Sequence, residues 1–289
     1  MKYAEIDFER WDFCISQASN SLIYAKSWYL NIVSPGWEAL ISEDYAYVMP
    51  LAVKRKHGIP YLVQPILTQQ LGVFSKKEIK EEILKRFIRK IPYLSYHLNL
   101  NEQNEYKKSF ALPNYVLDLN NNFEELHSNF SKNTKRNIEK ASKLGVGVVC
   151  DLTPDMFLEF YYLAEKGYSE PNKIITSKLI KTGFERKELM LYGAYNSKKE
   201  LIAALCLLCS GKRLIYLLPV SNEQGKKCAA MFLIVSEIIR NNSRSFSLLD
   251  FEGSRLEGIA RFYKGFGSEN RAYFEIKRMS VNTINKIFK

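Results

Sequence analysis

The chain has 289 residues, of which 46% are hydrophobic and 25% are charged, the proportions of an ordinary soluble globular protein. That length is enough for two small domains or one large one. No apolar run approaches the roughly 20 residues that a membrane-spanning helix needs. The N-terminal MKYAEIDFERWDF has acids and aromatic rings where a signal peptide needs an uninterrupted apolar core. We therefore expect a cytoplasmic protein without a transmembrane segment.

The formal net charge is +11 at pH 7. Such an excess of positive charge favours phosphate-bearing molecules or anionic surfaces as partners. A lysine excess is also a common way for a protein to remain soluble, so the charge alone does not indicate nucleic acid.

The five cysteines are odd in number and lie mostly in apolar stretches, which is typical of reduced, buried thiols rather than of a disulfide framework. Cys206 and Cys209 have C-x-x-C spacing within IAALCLLC, but a strand would direct them to opposite faces. No second pair or nearby histidine accompanies them, and we expect no metal site.

The first part of the chain is predicted to contain short strands and a helix. Two apolar stretches flank the polar pair Glu43-Asp44, which is typical of a hairpin. The apolar positions between Lys76 and Ile91 keep helical spacing. The predicted strands are residues 37–42, 45–56, 59–67, 94–100 and 114–119.

The rest of the chain combines helices with a run of apolar strands. Residues 121–145 carry an apolar stripe and a basic stripe at helical spacing, and Gly145 suits a helix C-terminus. An antiparallel meander is predicted over 188–195, 201–211 and 212–220. The other predicted strands are 146–150 and 245–251, and the other predicted helices are 154–168, 177–186, 221–242, 258–267 and 281–289.

The order of elements recurs coarsely in the two parts, since each supplies helices, a strand meander, a further helix and more strands. The predicted fold class is therefore α/β, as two modules that each have a mixed, mostly antiparallel sheet flanked by helices. We place the boundary so that residues 1–121 form the first module and 122–289 the second.

Three stretches together resemble a known superfamily. They are TKRNIEKASKLGV, the meander leading into SNEQGKKCAAMFLIVSEII, and DFEGSRLEGIARFYKGFG. In this order they resemble the GNAT acyltransferases, and more narrowly the Fem-type branch, whose members add amino acids to cell-wall precursors from aminoacyl-tRNA. Residues 122–278 carry most of the resemblance, and PLAVKRKHGIPYLVQPILTQQLG is similar to the N-terminal module of such proteins. The resemblance implies tandem GNAT-like modules.

The resemblance also implies a place for the acyl donor. In GNAT-like domains two neighbouring strands part, here 214–220 and 245–251, and the donor lies between them. The start of the next helix offers free N–H groups to the donor's phosphates. The expected donor-binding residues there are Ser221, Asn222, Gln224, Gly225 and Lys226.

The turn departs from the pattern of enzymes that use coenzyme A. Those enzymes usually show Gln/Arg-x-x-Gly-x-Gly/Ala. Counted from Gln224, Lys227 stands where the first of those glycines is expected. A lysine side chain hinders the close approach of backbone to a pyrophosphate. This departure argues against a standard acetyl-CoA enzyme without excluding one.

The stretch DFEGS is expected to supply the base. A partly desolvated carboxylate is able to take a proton from an attacking amine, and Asp250 and Glu252 are the candidates. A structural, hydrogen-bonding role for Asp250 is the alternative.

The helix after DFEGS is expected to complete the site. In Fem-type proteins it reads Gly-x-x-x-Phe-Lys. Phe262 matches the phenylalanine, Tyr263 replaces the lysine, and Lys264 comes one residue later. Tyr263 is therefore a candidate general acid or oxyanion donor, and Phe262 and Lys264 are candidate donor-binding residues. The replacement favours an acyl-CoA or an unusual donor over aminoacyl-tRNA.

A basic stripe on the helix at 121–145 suits phosphate groups of a donor or acceptor. Its candidate binding residues are Lys132, Arg136 and Lys140, with Lys143 beside them. A solvated helix face explains the same stripe equally well.

The sequence thus predicts a transferase that forms an amide on an amino group of a small or cell-envelope-related acceptor, by direct transfer without a metal. Acyl-CoA or aminoacyl-tRNA is the expected donor. Transfer RNA and a nucleotide-linked cell-wall precursor are the expected partners. Two alternatives stay open: a conventional acetyl-CoA-dependent N-acetyltransferase, and a non-catalytic protein that binds RNA or a nucleotide-sugar.

Overall fold

The structure is a computed structural model that describes residues 1–164 and 169–279. It divides into two compact units, the first formed by Met1–Leu112 with the segment from Ala272 onward, and the second by Pro113–Arg271. None of the described helices is long and apolar enough to cross a membrane. The helix predicted at 281–289 lies outside the described residues.

The first unit combines a two-stranded hairpin with a five-stranded sheet. Its α-helices are α1 (Phe8–Gln17), α2 (Ser27–Val33) and α3 (Glu81–Arg89), and short 3-10 helices lie at Tyr3–Glu5, Ile23–Ala25 and Glu43–Tyr45. Its strands are β1 (Glu38–Ile41), β2 (Val48–Leu51), β3 (Val53–Lys56), β4 (Ile59–Val63), β5 (Tyr96–Leu100), β6 (Phe110–Leu112) and the last described strand of the chain, Tyr273–Arg278.

The predicted hairpin around Glu43-Asp44 is present, because β1 and β2 pair antiparallel. The predicted strand 45–56 divides at Ala52, and its second part, β3, joins the five-stranded sheet by pairing with β4. In that sheet β4 and β5 are parallel and the other neighbours are antiparallel. Its hydrophobic cluster includes Leu84 and Phe87 of α3, which are buried against the strands.

The second unit is built on a seven-stranded sheet. Its strands are β7 (Tyr115–Asp118), β8 (Gly147–Val149), β9 (Leu189–Tyr195), β10 (Leu201–Ser210), β11 (Arg213–Ser221), β12 (Leu248–Asp250) and β13 (Glu269–Asn270). Its helices are α4 (Phe123–Ser128), α5 (Lys132–Lys143), α6 (Pro154–Ala164), α7 (Glu170–Glu185), α8 (Glu223–Lys227), α9 (Ala230–Asn242) and α10 (Glu257–Lys264).

The strand order in this sheet is β13-β7-β12-β11-β10-β9-β8. The predicted meander is present, since β9, β10 and β11 pair antiparallel. The pair β11 and β12 is parallel, and the other neighbours are antiparallel. Strand β10 is buried along nearly its whole length, which explains its continuous apolar sequence. The predicted fold class, α/β with mixed sheets flanked by helices, is confirmed.

The units divide at a different place from the predicted boundary between residues 121 and 122. Strand β7 precedes that boundary but pairs with β12 and β13 of the second sheet. The last described strand, β14 (Tyr273–Arg278), returns to pair with β5 and β6 of the first sheet. These pairings join segments far apart in the chain, and local sequence patterns carry no signal for them.

Candidate active site

A cleft opens in the second unit because β11 and β12 pair for only a short distance. Their register joins Arg213 to Leu248 and Ile215 to Asp250 and goes no further. Strand β11 continues to Ser221, whereas β12 ends at Asp250. The two strands predicted to part therefore separate beyond Ile215, at the place where the resemblance puts the acyl donor.

A cavity of 360 Å³ lies beside this point, between β11, the region where α8 meets α9, and α10. The lining residues are Tyr216, Pro219, Ser221, Gly225, Lys226, Ala229, Met231, Phe232, Gly258, Ile259, Phe262 and Tyr263. Five residues predicted to act in the site, Ser221, Gly225, Lys226, Phe262 and Tyr263, are thereby brought together in one cavity.

Two buried tyrosines line the cavity. The ring centroids of Tyr216 and Tyr263 are 5.8 Å apart, and Tyr263 stacks on Phe251 at 4.9 Å. Neither phenol hydroxyl has a hydrogen-bond partner within residues 1–164 and 169–279. A hydroxyl that lines a cavity without a protein partner is able to donate a hydrogen bond to a ligand.

Both phenols stay protonated at neutral pH. Burial raises the pKa of Tyr263, and the nearby carboxylates of Glu252 and Asp250 raise it further. Burial also raises the pKa of Tyr216 well above its usual value, with Tyr263 adding to the effect. Tyr216 was not among the predicted site residues, because within the apolar strand LIYLLPV a tyrosine is indistinguishable from a core residue.

These raised pKa values predict a loss of stability in alkaline solution. The stabilising contribution of each neutral phenol is complete below its unfolded pKa of ~10 and is lost as the pH rises toward the folded pKa. Above the unfolded pKa, each tyrosine should lower the free energy of unfolding by up to about 1.4 kcal/mol per pH unit. Urea unfolding between pH 9 and 11 should therefore show a shallower pH dependence for Tyr216→Phe and Tyr263→Phe. Parallel curves for the wild type and both variants would contradict the burial of these phenols.

The two candidate bases have different surroundings. Asp250 is only 2% exposed, and its carboxylate accepts a hydrogen bond of 2.8 Å from the backbone N–H of Glu252. The other carboxylate oxygen lies 3.7 Å from the guanidinium of Arg213. Glu252 is half-buried and has a positive φ of 59°. Asp250 therefore fixes the turn that carries Glu252, and Glu252 is the more accessible carboxylate.

The helix start predicted to bind phosphates is divided in two. The side chain of Asn222 caps α8 by accepting a 2.8 Å hydrogen bond from the N–H of Gly225. Helix α8 ends within five residues, and Ala229 adopts a left-handed conformation before α9 begins. Helix α9 has no side-chain cap at its N-terminus, and Ala229 and Met231 there line the cavity. The uncapped helix start beside the cavity thus belongs to α9.

The polar residues of α8 face in several directions. Gln224 is exposed, and Lys226 at the cavity rim forms an ion pair of 2.9 Å with Glu223.

Lys264, the last residue of α10, is also exposed. Its ammonium group lies 5.5 Å from the ring centroid of Tyr115 rather than in the cavity lining.

Gly225 is needed for packing. A Cβ added there would lie 2.1 Å from the carbonyl oxygen of Ile202 in β10, so even an alanine would force backbone to move. We expect Gly225→Ala to destabilise the protein by about 1–3 kcal/mol, measured by urea unfolding. Gly258→Ala in α10 is the matched control, because a Cβ there has no atom within 4 Å. That control should be neutral or stabilising by up to ~1 kcal/mol; equal losses for both variants would contradict the packing role of Gly225.

The predicted basic stripe lies on α5, apart from the residues that line the cavity. Lys132, Arg136 and Lys140 are exposed, and the last two line a shallow depression of 330 Å³ with Glu139, Lys143 and Leu144. Lys143 is ion-paired with Glu139 at 2.7 Å. The described residues contain no cluster of three or more histidines, cysteines or acids suited to a metal ion.

The chain is similar in sequence to one protein family and in fold to several solved structures. The FemAB family model matches residues 47–178. No curated protein matches the chain in sequence. The crystal structure of FemX is similar over 100% of both chains, with 12% identity and a TM-score of 0.70.

Two further solved structures share the fold. A conserved protein of unknown function from Bacteroides thetaiotaomicron has 10% identity and a TM-score of 0.61, with 96% of this chain and 98% of that one covered. The C-terminal domain of a putative lysylphosphatidylglycerol synthetase from Agrobacterium fabrum has 8% identity and a TM-score of 0.58, with 97% and 94% covered. The family match and the shared fold confirm the predicted resemblance to the Fem-type branch of GNAT-like proteins and the predicted enzyme class, a transferase.

Proposed function

We propose that this transferase moves an acyl or aminoacyl group from an activated donor to an amino group, in the cleft where β11 and β12 part. The observation that carries the proposal is the pair of buried phenols that line the cavity, Tyr216 and Tyr263, whose hydroxyls lack partners among the described residues. A site that stabilises an oxyanion needs such preorganised donors in a dry environment.

The reaction begins when the acceptor amine attacks the carbonyl carbon of the donor. The carbonyl oxygen gains negative charge, and the hydroxyls of Tyr216 and Tyr263 donate hydrogen bonds to it. Glu252 accepts the proton that the amine loses, directly or through a water. The intermediate then collapses: the bond between the carbonyl carbon and the leaving oxygen or sulfur breaks, the carbonyl of the new amide forms, and Glu252 gives the proton that it accepted to the leaving group. Asp250 holds the turn of Glu252 through the 2.8 Å hydrogen bond to its N–H.

An aminoacyl-tRNA is the donor that we favour. The N–H of Gly225 already donates a hydrogen bond to the side chain of Asn222, and Gly225 packs on the carbonyl of Ile202. The backbone of this turn is therefore poorly placed to bind the pyrophosphate of coenzyme A. The uncapped start of α9 remains to receive a donor phosphate. The exposed basic face of α5 suits further phosphates of the RNA or of a nucleotide-linked acceptor. The family match favours a cell-envelope-related acceptor.

A conventional acyl-CoA enzyme is the second candidate, and one observation favours it. Strand β11 pairs with β12 only over Arg213–Ile215. The following backbone of β11 lies along the cleft, where the amide groups of a pantetheine arm would find partners.

The test is a transfer assay with mass-spectrometric detection. The purified protein is incubated with pooled aminoacyl-tRNAs or with acyl-CoAs, each with simple amines and nucleotide-linked cell-wall precursors. We expect a new amide from the aminoacyl-tRNA pool. A product from acyl-CoA alone would select the second candidate. Absence of any product and of any thermal stabilisation by all the donors would contradict the proposal.

A further inference from the structure

We propose that the cavity between α9 and α10 binds the side chain of the transferred aminoacyl group and selects a neutral, apolar side chain, with Gly258 as the residue that leaves room for it. The inference rests on the proposed function, and it goes further by naming the class of group transferred: an aminoacyl group with a long apolar side chain rather than a small or charged one.

The shape of the cavity is the first argument. Tyr216 and Tyr263, beside which the reacting carbonyl would lie, are part of its lining, and the lining is largely apolar. Phe232 and Phe262 pack edge to face at 4.7 Å and form one wall. A hydrogen or methyl group attached next to the carbonyl would leave most of the 360 Å³ empty. A longer apolar chain would fill it and remove its own surface from water.

The charge around the cavity is the second argument. Among the described residues that line it, Lys226 carries the charge, and it lies exposed at the rim in an ion pair with Glu223. Asp250 and Glu252 approach Tyr263 but do not line the cavity. An ammonium group in the cavity would lose its water and meet no carboxylate in the lining, which is unfavourable. A lysyl group is therefore disfavoured against an uncharged chain of equal length.

The third argument is the open space beside Gly258. Gly258 lies in the first turn of α10, lines the cavity, and has open space for 4 Å around the position of a Cβ. Its φ is not in the left-handed region, so the backbone does not require glycine there. The space that a side chain at 258 would take is therefore open, at a residue that lines the cavity. A large residue at 258 would occupy the space without a backbone clash.

The experiment uses hydrolysis-resistant 3′-aminoacylamino-3′-deoxyadenosines that carry alanine, norleucine or lysine, and thioether analogues of acyl-CoA with short and long chains. Norleucine and lysine form a matched pair that differs by the ammonium group. Affinity should rise about fourfold per added methylene, which gives about 60-fold for the three methylenes between alanine and norleucine. Lysine should bind at least tenfold more weakly than norleucine.

Two glycine variants locate the effect. Gly258→Phe should abolish the difference between the alanine and norleucine analogues, and Gly258→Ala should reduce it. Gly147→Phe is the matched control, because Gly147 in β8 also has open space but does not line the cavity, and it should keep the difference. Melting temperatures measured on the same samples show whether each variant is folded.

The outcomes separate this inference from the proposed function. Binding of the analogues without any dependence on side-chain length, or with lysine preferred, overturns the inference and leaves the proposed function standing. Equal weakening of all analogues and of 3′-amino-3′-deoxyadenosine by Gly258→Phe would place the leaving group, rather than the side chain of the acyl group, beside Gly258 and also overturn the inference. If neither series binds the wild type, the proposed function fails and the inference fails with it.

Discussion

Replacing Tyr263 with phenylalanine should lower turnover at least about 10²-fold, the usual loss when one donor to an oxyanion is removed. The ring keeps its stacking on Phe251 at 4.9 Å and its contact with Tyr216 at 5.8 Å, so the packing survives. The hydroxyl has no hydrogen-bond partner among the described residues. Its removal leaves no protein group unsatisfied, and the melting temperature should change little.

Tyr216→Phe should give a loss of similar size, and the double variant should lose less than the product of the two single losses if both hydroxyls act on one oxygen. Tyr195→Phe in β9 is a suitable control, because Tyr195 lies in the same unit and does not line the cavity. Steady-state kinetics with the donor found in the transfer assay measure all four variants. Full activity of Tyr263→Phe and Tyr216→Phe would remove the phenols from the chemistry.

Glu252→Gln and Asp250→Asn should fail in different ways. Glutamine preserves the shape of Glu252 but does not accept the proton of the amine, so turnover should fall ~10²-fold or more with little change in melting temperature. Asparagine at 250 removes the charge that faces Arg213 at 3.7 Å in a position only 2% exposed. That variant should lose about 1–3 kcal/mol of the free energy of unfolding.

Melting and turnover measured on the same two samples test this division of roles. The acidic limb of the pH–rate profile should flatten in Glu252→Gln and keep its form in Asp250→Asn. If Asp250→Asn keeps its stability and loses turnover, Asp250 is the base and Glu252 is not.

Much of the fold was predictable because its strands have locally readable patterns. The polar pair Glu43-Asp44 between apolar runs marked a hairpin that is present. The three apolar runs from 188 to 220 marked the meander of β9, β10 and β11. Each of these features joins neighbouring segments, so the turn and strand signals lie side by side in the sequence.

The features that the sequence did not reveal depend on distant pairing or on a single backbone conformation. Strand β14 pairs with β5, at a separation that no local pattern encodes. The helix predicted as one piece over 221–242 divides at Ala229, because its left-handed backbone ends α8, and alanine is otherwise a strong helix former. Ala229 also lines the cavity, and because the division depends on its backbone conformation, the position of the uncapped helix start was not predictable.

Five of the proposed site residues lie together in the structure, although no local sequence pattern shows that they are neighbours. They line one cavity because the end of β11, helix α8 and the last turn of α10 approach each other where the strands part; the residues are Ser221, Gly225, Lys226, Phe262 and Tyr263. Their individual roles follow from contacts that the sequence does not show, such as the close packing of Gly225 on Ile202. These roles are therefore proposals, and the variants test them.

The most direct test of the central claim is a crystal structure with a hydrolysis-resistant donor analogue, the 3′-aminoacylamino-3′-deoxyadenosine that binds most tightly. We predict its carbonyl oxygen within hydrogen-bond distance, about 2.7 Å, of the hydroxyls of Tyr216 and Tyr263, with the carbonyl carbon open to the side of Glu252. An analogue bound away from the cleft between β11 and β12, or bound there with its carbonyl directed away from both phenols, would contradict the proposed chemistry.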